Sequence, residues 1–94
     1  MTTNQKKLLE ILGNKYHLEM VDGEECICRD VGNYSIEISG TATSQRPYTV
    51  FLWLKNGKGQ FGEIIARCHD IKGEEQLLST LDTFLDRIRE NLVL

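Results

Sequence analysis

Tyr48-Thr49-Val50-Phe51-Leu52-Trp53-Leu54-Lys55-Asn56-Gly57-Lys58-Gly59-Gln60-Phe61-Gly62-Glu63-Ile64-Ile65-Ala66-Arg67-Cys68-His69-Asp70-Ile71 is the stretch on which the fold turns. Its first eight residues place Val50, Leu52 and Leu54 on one side and Phe51 and Trp53 on the other. A strand that is apolar on both faces belongs in the middle of a sheet. Gly57-Lys58-Gly59 suits a three-residue hairpin loop whose last glycine takes the left-handed conformation. Pairing back from that loop sets Leu52 opposite Ile64, Phe51 opposite Ile65 and Val50 opposite Ala66. Phe61, Glu63, Ile65 and Arg67 then share a face with Phe51 and Trp53.

A helix follows directly over Glu74–Leu92. Leu77, Leu78, Leu81, Phe84, Leu85, Ile88 and Leu92 recur at the spacing of one broad apolar stripe. Glu74 and Glu75 in its first turn, with Arg87 and Arg89 near its end, complement the helix dipole.

Upstream the period is two. His17-Leu18-Glu19-Met20-Val21 alternates, and Asp22-Gly23 is a strong two-residue hairpin signal. Cys26-Ile27-Cys28-Arg29 follows, and Gly32-Asn33 offers a second tight turn before Tyr34-Ser35-Ile36-Glu37-Ile38-Ser39. Two-residue loops pair Leu18 with Ile27 and Ile27 with Ile38. The opposite face then carries His17, Glu19, Cys26, Cys28, Ser35 and Glu37, and is expected to be wet. Gly40–Pro47 is polar and turn-rich, so it reads as a loop crossing to the second part of the sheet. A short first helix, Gln5–Leu12, is capped by Thr3 or Asn4 and ended by Gly13, with Leu8, Leu9, Ile11 and Leu12 on its apolar side. The expectation is an α+β fold for residues 1–94 as one domain. A roughly five-stranded antiparallel sheet carries an N-terminal and a C-terminal helix, in the order α-β-β-β-β-β-α.

At 94 residues, 27% charged and 40% hydrophobic, the chain has the composition of an ordinary globular domain. Its net charge of −3 is evenly spread. With no basic block, nucleic acid is not an expected partner. The apolar run Leu8–Leu12 is too short for a signal-peptide core or a bilayer span, so no membrane partner is expected. Three cysteines, an odd number, fit a reducing compartment, and a cytoplasmic location is the expectation.

No motif for catalysis or nucleotide binding stands out, and no cofactor is expected. Cys26-x-Cys28 with His17 gathers three zinc-type ligands on one face, with Glu19 or Glu37 as a fourth, yet it is half of the familiar paired-knuckle pattern. Cys28 with His17, or Cys68 with the His69-Asp70 pair, could be imagined as a thiol and its base, but neither thiol follows a helix start or a glycine-rich turn that would activate it, and Cys68 and His69 point to opposite faces of a strand. The glycines around Lys58 join two strands and lack the helix start that a phosphate loop needs. Gly62 reads as relief of local crowding.

The residues singled out for binding are Phe51, Trp53, Phe61, Ile65 and Arg67, with Arg46 nearby. Aromatic side chains with arginine are the composition enriched at binding hot spots. They form either a second core under one terminal helix or a partner surface. The element order resembles that of small α+β chaperone-like domains, which bind partners through a sheet face. Those domains place a helix among the strands, where Gly40–Pro47 stands here, so the resemblance implies a mode of binding and carries no residues across.

The function expected is a small non-enzymatic protein-interaction module of adaptor or inhibitor type, a kind that mobile elements also encode. It would bind a protein partner, or itself as a homodimer, through a sheet face or through the edge strand at His17–Val21. The alternatives are a small-ligand or nucleotide-binding protein using Trp53 and Arg67, and a metal or thiol site at Cys26, Cys28 and His17.

Overall fold

In the computed structural model, which describes residues 1–92, the elements follow the expected order. They are α1 (Thr3–Leu12), β1 (His17–Val21), β2 (Glu24–Val31), β3 (Tyr34–Ser39), β4 (Tyr48–Lys55), β5 (Phe61–Ile71) and α2 (Gly73–Leu92). The strands form one antiparallel sheet in the order β1-β2-β3-β4-β5. The crossing Gly40–Pro47 therefore leads to the nearest free edge, beside β3. Among the described residues no helix is long and apolar enough to cross a membrane.

Turn chemistry sets the register of the first three strands. Asp22 and Gly23 both have positive φ, 50° and 81°, the conformation that matches a two-residue hairpin to the twist of its strands. Leu18 pairs with Ile27 and Ile27 with Ile38, as the turns require. The third hairpin also has its expected loop: Asn56 N–H donates to Gln60 O at 2.8 Å, and Gly59 has φ 75°. The Asn56 side chain tightens it by accepting from the Lys58 and Gln60 amides at 2.9 and 3.1 Å.

Beyond that loop the expected register fails. Leu52 pairs with Ala66, Phe51 with Arg67, Val50 with Cys68, and Trp53 with Ile64. Three register shifts along β4–β5 each place an additional residue in β5. The first falls at Gly62, where a Cβ would lie 2.9 Å from Leu54 O and 3.2 Å from Asn56 N. Close approach of the β4 backbone thus demands glycine here, and the crowding comes from main chain. The last shift lies next to Asp70, whose φ is 58°.

Helix α1 starts earlier than expected because Thr2 is the cap. Its hydroxyl accepts from the Gln5 amide at 3.2 Å, and Gln5 Oε1 accepts from the Thr2 amide at 2.8 Å, a complete capping box. Gln5 is itself buried, its amide nitrogen reaching Thr41 Oγ1 and Glu25 O. With Asn4 bonded to Thr41 O and the Tyr48 hydroxyl, these contacts tie α1 to the β3–β4 loop.

Both helices pack on the same face of the sheet. Leu8 of α1 joins Leu77, Leu81, Phe84 and Ile88 of α2 over Ile27, Ile36, Ile38, Val50, Leu52 and Ile71 in one buried core. Each such side chain contributes about 1.5–3 kcal/mol on leaving water. Lys7 and Glu74 pair at 3.0 Å where the helices meet. Ile11 and Leu78, expected on the apolar stripes, are instead exposed, at 42% and 40%. Leu92, also expected there, has its side chain outside the described residues.

Candidate functional site: the second face of the sheet

With both helices on one side, no helix among the described residues covers the face bearing Cys26, Cys28, Ser35, Glu37, Phe51 and Trp53. That face is nonetheless not the wet surface expected. Cys26, Cys28, Ser35 and Glu37 are buried, at 1%, 0%, 0% and 5% exposure. The cause is curvature. In a flat sheet three strand spacings of about 4.8 Å would hold β2 and β5 about 14 Å apart. Phe61 of β5 nevertheless packs against Val21, Cys26 and Cys28. The bulged β4–β5 hairpin therefore curls over the face and closes one end of it. Bulges increase local twist and bend, and β5 has three.

Glu37 organises the interior of this curl. Its Oε1 accepts from the Trp53 indole N–H at 2.8 Å, and its Oε2 from the Cys26 thiol at 3.5 Å. Trp53 stacks on Phe61, with centroids 5.1 Å apart and planes 18° from parallel. Phe51 meets His69 edge to face at 6.2 Å. Burial raises the Glu37 pKa above its ordinary value, against the two donors that favour its charge. The Cys26 and Cys28 thiols are pushed far up, first by burial and then by surrounding carboxylates, Glu37 and Glu24 for the former and Glu19 and Glu37 for the latter. Thiols so held stay protonated at neutral pH and are poor nucleophiles. Ser35 Oγ is buried without a hydrogen bond, although it lies near enough to Asp30 to favour that carboxylate.

Of the residues singled out for binding, Phe51, Trp53 and Phe61 share this face, and Arg67 lies exposed opposite Phe51. Ile65 does not join them. The bulge turns it toward the helix-side core, where it packs as a partly buried residue, and Ile64 takes the place opposite Trp53. Glu63 likewise pairs with Leu54 instead of joining Phe61. Arg46 lies at another part of the surface, beside Lys72 and Gly73. His17 bonds Glu19 at 3.3 Å, and among the described residues no three or more His, Cys, Asp or Glu side chains gather to hold a metal ion. Cys68 pairs with Val50 on the helix side, whereas His69 bonds Thr49 at 3.3 Å, so the two diverge as expected.

Sequence reading passed over Glu37 as a binding-face residue, although its alternation with Ile36 and Ile38 placed it opposite the core. It also missed the segregation of charge. By register the β1–β3 half of the face bears Glu19, Glu24, Asp30 and Glu37 beside His17, and the β4–β5 half bears Lys55 and Arg67 beside His69. Lys55 reaches back to Asp30 at 2.9 Å and lowers its pKa. Compared with known protein families, curated proteins and solved structures, the chain matches none.

Proposed function

We propose that this protein is a small non-enzymatic interaction module that binds another polypeptide through the helix-free face of its sheet. The observation that supports this most is the placement of both helices on the opposite side. Phe51, Trp53 and Phe61 are left partly exposed beside the exposed Arg67. Anchors of this kind, held rigid by stacking and by a buried carboxylate, lose little side-chain freedom on binding. The protonated, covered thiols give less support to a thiol enzyme. The nucleotide alternative also has less support, because one face of the Trp53 ring is already taken by Phe61.

The test is affinity purification from cells of origin, comparing the unaltered chain with Phe51→Ser and Arg67→Glu, each checked for folding by circular dichroism. A stoichiometric polypeptide, or a second copy, retained by the unaltered chain and lost from both folded variants is the expected result. Equal retention by all three would refute the reading.

A further inference from the structure

The two edges of the sheet are unequal. β5 is broken by three bulges and by the left-handed Asp70, devices that spoil an edge as a template for pairing. β1 pairs continuously with β2 over His17–Val21, and its outer side pairs with no strand among the described residues. Met20 on this strand is 65% exposed. The curl of the sheet brings the tip of the β4–β5 hairpin back toward this edge. Between them lies a cavity of about 490 Å3, walled by Glu19 and Met20 on one side and by Gly59, Gln60 and Phe61 on the other, with the Asp30–Lys55 pair at its base. A strand added outside β1 would lie beside this cavity and would send one of its side chains into it.

Charge says which chain. Lys55 neutralises Asp30, which leaves the Glu19 carboxylate as the surplus charge of the slot, with Glu37 buried behind it. Beside Glu19 stand Lys55, already paired with Asp30, and the exposed His17.

From these observations we infer that β1 accepts an extended, basic segment of a partner as a sixth strand, with a lysine or arginine side chain entering the slot against Glu19. This rests on the reading of the protein as an interaction module, but uses the edge and not the aromatic face. Main-chain bonds to β1 supply affinity and the slot supplies selectivity.

The test uses an acetylated, amidated eight-residue peptide of alternating Val and Thr with a central Arg, and its counterpart with a central Glu. Each is titrated into the isotope-labelled protein and followed by amide shifts and hydrogen exchange. The Arg peptide is expected to shift and protect amides within His17–Val21. It should bind on the order of tenfold more tightly than the Glu peptide at low salt. Glu19→Gln, at an exposed position, should narrow that preference by roughly two- to fivefold. Equal affinity for the two peptides would overturn the inference, as would no binding up to about 1 mM. So would shifts confined to Phe51, Trp53 and Arg67, which would favour the aromatic face. Concentration-dependent protection of His17–Val21 without peptide would assign the edge to a second copy, and would also overturn it. The Phe51 and Arg67 variants read the aromatic face separately, so the two ideas fail independently.

Discussion

Phe61→Ala examines the curl that makes the second face a site. Burying a whole phenylalanine and then truncating it costs about 3–5 kcal/mol. Phe61 is only partly buried, so about half of that, roughly 2 kcal/mol, is the packing loss against Val21, Cys26 and Cys28. Its stack on Trp53, with centroids 5.1 Å apart, adds about 1 kcal/mol. The expected destabilisation is therefore about 2–3 kcal/mol, or a fall in Tm on the order of 10–20 °C for a domain of this size. Urea unfolding followed by fluorescence gives the energy, since Trp53 is the single tryptophan. Thiol labelling under native conditions gives the geometry: uncovering Cys26 and Cys28 should speed their modification well beyond what the stability loss alone produces. A Leu52→Ala control, cut from the helix-side core, should lose comparable stability without selective exposure of these two thiols. A Phe61→Ala cost under about 0.5 kcal/mol with unchanged labelling would refute the curl, since that is the range of ordinary surface substitutions.

Gly62→Ala should destabilise by about 1–3 kcal/mol, because its Cβ would press on the β4 backbone at Leu54 and Asn56. Gly57→Ala, with nothing near its Cβ, should cost under about 1 kcal/mol in the same urea assay. Glu37→Gln keeps an oxygen to accept from Trp53 and removes the buried charge. Because burial raises the Glu37 pKa, the stability contributed by its protonated form is complete below the unfolded-chain pKa and is lost as pH rises through the folded one. Glu37→Gln should therefore be the more stable protein at pH 7, with its advantage vanishing by about pH 4 in denaturation series at several pH values. In the native protein Cys68, which is partly exposed, should label with a thiol reagent ahead of Cys26 and Cys28.

Much of the fold was legible because the turns are chemically explicit. Asp22-Gly23 and Gly32-Asn33 force two-residue loops, and counting outward from them sets every pair from His17–Cys28 to Ile27–Ile38. The α2 stripe and the two-faced β4 likewise follow from period alone. What failed was β5. A bulge costs little locally and leaves the apolar composition unchanged, so Ile64 and Ile65 are interchangeable in pattern while only one can face Trp53. Gly62 was the visible sign, but its reason, the approach of the β4 backbone, is a tertiary fact. The site was half legible for the same reason. Alternation placed Cys26, Cys28 and Glu37 together, and Trp53 with Phe51, yet it carries no information on curvature, and so a buried polar cluster read as a wet face. Nor does the stripe on α1 say which side of the sheet it covers. Leu8 decides that by joining Leu77 and Leu81.

Photo-crosslinking in cells of origin tests the proposed role most directly. A photoreactive phenylalanine analogue at position 51 samples the helix-free face, and one at position 78, on the exposed side of α2, samples the opposite side. The account predicts a discrete adduct with one polypeptide from position 51 and none from position 78. No adduct from position 51, or the same adduct from both, would contradict it.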